Sequence, residues 1–210
     1  MTAYEVNEIF QSVKGEGLYT GVPMNFIRLA GCNLRCTFCD TEWATHEDID
    51  IAEILSRLDE GISKVVLTGG EPTIHDLEPL IFTLRRAGYS IHLETNGTNP
   101  IPSGVSWMAL SPKSLDVNES AVLNADEIKF LWRDEDYSKS FIIDFMEKYK
   151  LFGKSAKHLY IMPLAKGIDE GAQRNASDLN MDNAQSAIDF IMTFPYFKLC
   201  TQVHKVWGIL

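Results

Sequence analysis

Three of the four cysteines in this 210-residue chain crowd into one short segment, Gly31-Cys32-Asn-Leu-Arg-Cys36-Thr-Phe-Cys39-Asp40-Thr41. Three thiolates on one loop can hold three corners of an iron–sulfur cube, leaving the fourth iron open to a small molecule; cluster proteins ordinarily supply four cysteines. A zinc site completed by Asp40, His46 or Cys200 is the plainer reading, but structural zinc usually shows two paired ligand sets and no second pair is visible. A redox pair Cys36-Thr-Phe-Cys39 would leave Cys32 without a role. A zinc deaminase would use His92-Leu-Glu94 but needs a later Pro-Cys-x-x-Cys, which the sequence lacks. Further polar groups recur along the chain. Thr68-Gly69-Gly70-Glu71-Pro72 offers two glycines that let a ligand approach the backbone and a carboxylate suited to an ammonium. Glu94-Thr95-Asn96-Gly97 suits a ribose, and Ser111-Pro112-Lys113 follows. Each alone reads as an ordinary turn.

The elements that must position these residues alternate in type. Strands are expected at Met24–Ala30, Lys64–Thr68, Ser90–Glu94, Ser106–Ser111, Glu127–Leu131, His158–Met162 and Lys198–His204. Helical stripes run through Ile51, Ile54, Leu55 and Leu58, stopped by Gly61, and through Leu77, Leu80, Ile81 and Leu84, stopped by Gly88. Two more helices are expected over Tyr137–Tyr149 and Asp182–Phe194, and Lys166–Asn180 reads as a long surface loop. The alternation argues for an α/β chain whose mostly parallel sheet is covered by helices. Seven strands are too few for a closed eightfold barrel, so a partial, incomplete parallel β/α barrel is expected, as one domain over residues 1–210. Every polar motif above then sits where a strand ends, the place where such sheets bind ligands.

Composition narrows the classes. Nineteen basic against 29 acidic residues give a net charge of −10, which disfavours nucleic acid as a partner. No apolar run is long enough to span a membrane, and the first residues lack a signal-peptide pattern, so a cytoplasmic protein is expected.

Cys-x3-Cys-x2-Cys with an aromatic before the last cysteine, followed by Gly-Gly-Glu-Pro, resembles the radical S-adenosylmethionine enzymes. The resemblance implies that Cys32, Cys36 and Cys39 hold a [4Fe-4S] cluster whose open iron chelates S-adenosylmethionine. It places Phe38, Asp40, Gly70, Glu71, Glu94, Asn96, Ser111, Pro112, Lys113, Met162 and Pro163 against that cofactor. Asn7-Glu-Ile-Phe-Gln-Ser-Val-Lys14-Gly15-Glu16-Gly17, Phe26-Ile-Arg28, Asp126-Glu127-Ile128-Lys129 and the closing Gln202-Val203-His204-Lys205 are similar to the 7-carboxy-7-deazaguanine synthases. That family implies conversion of 6-carboxy-5,6,7,8-tetrahydropterin to 7-carboxy-7-deazaguanine, with magnesium on Thr41. Substrate contacts would then come from Val13, Lys14, Gly15, Glu16, Arg28, Thr68, His204 and the terminal carboxylate of Leu210. It further implies a homodimer and a flavodoxin or ferredoxin as electron donor.

Arg28 would give the substrate carboxylate a bidentate partner. His204, expected on the last strand with Gln202 and Cys200 on one face, could reach that carboxylate or serve only structure. The chain departs from the family pattern at Lys14, where glutamine is usual, at Met162-Pro163 in place of Gln-Pro, and at its last residues. A glycyl-radical-enzyme activase shares the cysteine loop, and a non-catalytic metal-binding module is the alternative of a different class.

Overall fold

The computed structural model describes residues 3–39, 41–152, 157–164 and 180–209. Its nine strands are β1 (Ala3–Val13), β2 (Pro23–Leu29), β3 (Glu47–Asp50), β4 (Lys64–Gly69), β5 (Ser90–Thr95), β6 (Trp107–Leu110), β7 (Glu127–Trp132), β8 (His158–Pro163) and β9 (Phe197–Leu199). They form one sheet in the order β3-β1-β2-β4-β5-β6-β7-β8-β9. From β2 to β9 every neighbouring pair is parallel, whereas β1 lies antiparallel to both β2 and β3. Among the described residues the edge strands β3 and β9 do not pair, so the barrel stays open. The helices are α1 (Ile51–Ser56), α2 (Glu78–Arg86), α3 (Glu119–Asn124), α4 (Glu135–Lys148), α5 (Met181–Thr193) and α6 (Val203–Trp207).

The two-residue period of a strand sorts each sequence between two environments. On β7, Ile128, Phe130 and Trp132 enter the apolar core, while Lys129 and Leu131 face a cavity. On β4, Val65 and Leu67 join the core and Val66 and Thr68 line the cavity. Ile27 and Leu29 alternate with Phe26 and Arg28 on β2 in the same way. The core therefore lies between sheet and helices, and the concave face of the sheet carries the polar residues.

Local chemistry sets the element ends. Asp50, Asn118, Asp134 and Asn180 each cap a helix by accepting a backbone N–H in the first turn. The turn closing α2 uses Gly88 at φ 93°, a conformation that favours glycine. The second, third and fourth expected helices match α2, α4 and α5 to within two residues, whereas α1 stops well short of Gly61. Of the expected loop 166–180, only Asn180 lies among the described residues.

Three expectations need correction. β1 and β3 were not foreseen, because their polar residues hide a pattern in which only Tyr4, Val6 and Ile49 are buried. α3 was missed because it is a single capped segment burying only Ala121 and Val122. The last expected strand breaks after Leu199, so His204 lies on α6 rather than on a strand. Cys200 N–H still donates to Ile161, but the partner strand ends in Pro163, and Val203 N–H donates instead to the carbonyl of Gly15. The segment is thereby diverted across the mouth of the cavity.

Asn25 ties β2 to the loop that feeds β4, the two strands that deliver the cysteines and the paired glycines. Fully buried, it donates to the carbonyls of Asp59 and Ile62 at 3.1 and 3.0 Å and accepts from Asp59 N–H and Gln11 at 2.8 and 3.1 Å. Replacing it with alanine removes all four bonds and should lower the unfolding free energy by about 2–3 kcal/mol, read from the denaturant midpoint. At the floor of the barrel the ring of Tyr19 stands edge-on to His92 and Trp107, with centroids 4.6 and 5.0 Å away. Burial, aided by Lys14 and Lys64, lowers the His92 pKa to about 4. Between roughly pH 6.5 and 4 the unfolded chain takes up a proton that the folded one refuses, so stability falls as pH falls through that window. The loss is about 3 kcal/mol at most, and His92→Phe should lose less stability than the native chain between pH 7 and 4.5.

Candidate functional site

The carboxyl ends of the parallel strands open into a cavity of about 920 Å³. The cysteine loop forms one wall, and the chain leaving β2 leads directly into it. Its shape depends on glycine. A Cβ at Gly70 would lie 2.1 Å from the Gly31 carbonyl oxygen and 2.8 Å from Cys32 Cβ, and one at Gly69 would lie 2.0 Å from the Leu29 carbonyl oxygen. Close approach is needed here as the sequence indicated, but it is the cysteine loop that approaches. Glu71 N–H then donates to Gly31 O at 3.0 Å. The loop is further held by Asn96 donating to Asn33 at 3.0 Å, by Arg35 stacked on Trp43 and by Arg133 lying between the rings of Phe38 and Tyr137.

Glu71 was expected to meet a ligand's ammonium. Its carboxylate is buried and accepts from Thr73 N–H, Thr73 Oγ1, Thr95 Oγ1 and Asn96 N–H at 3.1, 2.6, 2.7 and 2.6 Å. It joins the ends of β4 and β5 and caps the turn Pro72–Ile74. Glu94, expected beside a ribose, is likewise engaged: Lys14 pairs with one oxygen and Lys129 with the other at 2.7 Å. Lys129 Nζ also lies 2.8 Å from Glu16, whose second oxygen accepts from Gln202 Nε2 at 2.8 Å. Burial alone would raise the Glu16 carboxyl, but Lys129 and Lys14, with hydrogen bonds from Lys129 and Gln202, hold it well below the usual range. Glu94 is lowered against its own burial by the same two lysines. Burial opposes the charge of Lys129 as well, yet Glu16, Glu94 and Glu127 keep it protonated.

Arg28 faces Glu8 across β1 and β2, its Nε 2.6 Å from the carboxylate, so an end-on approach to its terminal nitrogens is the bidentate geometry left for a second carboxylate. Gly15 packs directly on His204, for a Cβ there would lie 2.0 Å from Nδ1. Lys113 donates to Ser111 Oγ at 2.6 Å. Cys36, Phe38, Cys39, Thr41, Thr68, Asn96, Met162 and Val13 all line the same cavity. Pro112 and Pro163 do not line it, and Asp40 and Leu210 lie outside the described residues. Lys129, Gln202 and Lys205 line it without having been singled out as site residues. Their only sequence signal was membership in the motifs Asp126–Lys129 and Gln202–Lys205.

The donor set fits a cluster. Burial pushes the thiols of Cys32 and Cys36 up; Glu71 and Cys39 raise Cys32 further, and Cys39 and Cys32 raise Cys36, so three thiolates at one mouth call for a cationic centre. Lys113 and Arg133 work in the opposite sense on Cys36, and Arg35 on Cys32. The fourth cysteine has another place: Cys200 is buried, pushed up to about 11 by burial and by Glu16, and accepts Gly17 N–H at 3.3 Å.

Comparison with known proteins agrees with this reading. The profile of the radical SAM superfamily matches residues 26–173. A 7-carboxy-7-deazaguanine synthase of Bacteroides thetaiotaomicron is 32% identical, covering 98% of both chains. One of Neisseria meningitidis is 34% identical over 98% of this chain and 94% of its own. The crystal structure of QueE from Escherichia coli superposes with a TM-score of 0.77 at 26% identity, covering 96% of this chain and 95% of that one. A three-cysteine loop at the open end of a partial barrel and likeness along nearly the whole chain lead to one assignment: this chain belongs to the 7-carboxy-7-deazaguanine synthase family of the radical SAM superfamily.

Proposed function

We propose that the protein is a lyase that converts 6-carboxy-5,6,7,8-tetrahydropterin to 7-carboxy-7-deazaguanine and ammonia, a step towards queuosine and related 7-deazapurines. The observation that carries the reading is the pairing of an ionised acceptor, Glu16, with a guanidinium, Arg28, in one cavity walled by the cysteine loop. A pterin presents adjacent N–H donors at one end and, in this substrate, a carboxylate at the other. Removing ammonia from the tetrahydropterin balances without net oxidation, the condition for a radical cofactor to be regenerated. When bound, the [4Fe-4S] cluster and S-adenosylmethionine supply a hydrogen-abstracting carbon radical.

The remaining work falls to the chain. Cys32, Cys36 and Cys39 hold the cluster, and the strand-end groups Gly70, Asn96, Ser111 and Lys113 seat the cofactor. Glu16 accepts from the pyrimidine edge of the pterin, with Val13, Gly15 and Thr68 beside it. The terminal nitrogens of Arg28 grip the substrate carboxylate, together with His204 from the first turn of α6. Thr41, beside Cys39 on the cavity wall, gives magnesium one oxygen; that ion takes few protein ligands and keeps several waters. Lys14, which replaces the usual glutamine, is neutralised by Glu94 and adds no unpaired cation to the substrate site. We further propose that residues 1–210 act as one unit in a cytoplasmic homodimer reduced by a flavodoxin or ferredoxin. A glycyl-radical activase is not favoured: the acceptor and guanidinium enclosed with the cysteine loop suit a small polar molecule better than a protein backbone.

The test is anaerobic. Protein reconstituted with iron and sulfide, given dithionite, S-adenosylmethionine, magnesium and 6-carboxytetrahydropterin, should yield 7-carboxy-7-deazaguanine by mass spectrometry with no net loss of S-adenosylmethionine. Cys36→Ala should abolish product. Reductive cleavage of S-adenosylmethionine with the pterin left intact would retain the radical chemistry and sink the substrate. Arg28→Gln should raise KM for the pterin about tenfold or more while leaving substrate-free cleavage of S-adenosylmethionine in place, the loss of a charge-assisted bidentate contact.

A further inference from the structure

The most heavily buried cation of the cavity is Lys129, on β7, with 3% of its side chain exposed. It lies within hydrogen-bond distance of two carboxylates, Glu16 at 2.8 Å and Glu94 at 2.7 Å. The two carboxylates are not equivalent. Glu94 has a lysine on each oxygen, Lys14 and Lys129. Glu16 has Lys129 on one oxygen and the Gln202 amide on the other. The amide's orientation is set by Lys205, which donates to its oxygen at 2.5 Å and leaves its NH2 for Glu16. Donors and acceptors thus alternate without conflict along Lys205, Gln202, Glu16, Lys129, Glu94 and Lys14. A carboxylate can accept about four hydrogen bonds. Among the described residues Glu16 has one donor on each oxygen, so it keeps acceptor capacity towards the cavity that it lines.

We infer that Lys129 is a positioning residue for the substrate: it fixes the Glu16 carboxylate, ionised and correctly aimed, for the N–H-rich edge of the ligand, with Glu94 as the counterweight that keeps the lysine between them. The inference rests on the pterin reading. Were Lys129 absent, Lys14 alone would offset both carboxylates, and repulsion between Glu16 and Glu94 would favour protonation or displacement of one of them. A protonated or displaced Glu16 would lose its charge-assisted bonds to the ligand. Glu94 has a different part: with a lysine on each oxygen, it balances the charge of the network.

The test is a double-mutant cycle on the reconstituted, anaerobic enzyme. It reads KM and kcat for 6-carboxytetrahydropterin, Kd for the non-reacting 6-carboxypterin, and substrate-free cleavage of S-adenosylmethionine. Lys129→Met should raise KM and Kd about tenfold or more, the loss expected for a charge-assisted contact, while cofactor cleavage stays within about twofold. In a Glu16→Gln background the same change should cost less than about twofold, because the residue through which Lys129 acts is already neutral. Lys129→Gln replaces Lys129→Met if the latter fails to fold, and Lys129→Arg should restore most of the binding. Additive effects in the two backgrounds, or loss of stability with KM and Kd intact, would overturn the assignment. Wild-type protein that neither turns over the pterin nor binds 6-carboxypterin would overturn the substrate reading and this inference with it. Wild-type turnover with an additive cycle removes this inference alone.

Discussion

A lysine buried between two carboxylates is the constraint on which the cavity depends. In a low-dielectric interior each of these charges is costly alone, and removing one partner of such a set typically costs about 3–5 kcal/mol. The cost is offset only when β5, β7, the turn at residues 14–17 and the segment after β9 are all in place, because each contributes at least one member. Neither Glu16 nor Gln202 belongs to a strand, yet both are fixed by this arrangement. The same region receives two more backbone ties, with Leu18 N–H donating to Glu127 and Gly17 N–H to Cys200. The Glu16 acceptor is therefore set by the interior of the open barrel, and the loop that carries it has little freedom of its own.

The second constraint is steric. The cysteine loop lies against the end of β4 at a distance that only glycine permits, and Glu71 locks that contact by accepting four donors from the turn after β4 and from the end of β5. The cysteine loop, the polar strand ends and Glu16 thus share one rigid frame built from neighbouring parallel strands. This is the arrangement radical chemistry requires, since a hydrogen atom is taken only across a short and fixed gap. Local charge also departs from the whole. The chain carries −10, but Arg35, Lys113 and Arg133 stand near the cysteines, where negative thiolates must be gathered.

Chemistry that is local in the chain was legible in the sequence. Three cysteines in one short segment can sit on one loop whatever surrounds them, and runs such as Val65–Leu67 and Ile128–Leu131 declare strands because β-branched and aromatic residues pack well on a pleated sheet. Helices with a full apolar stripe, α2 above all, were bounded by a recognisable glycine stop. β3 and α3 bury too few residues to leave a pattern, and β1 mixes buried and polar positions along an edge ribbon. The end of the last strand was decided by a partner strand terminating in proline, a fact no local window contains.

What the sequence by itself determined is the set of groups and their order: the thiol loop, the paired glycines, the strand-end carboxylates and amides, and a chain of alternating strands and helices. What only the tertiary structure decided is which of those groups are spent on one another. Glu71 and Glu94 look like ligand contacts in the sequence and are each held by the protein's own donors, whereas Lys129 and Gln202 look unremarkable and hold Glu16 in place. The reason is physical. A buried charge takes its state from partners within a few ångströms, and those partners lie 113 and 186 positions from Glu16 along the chain.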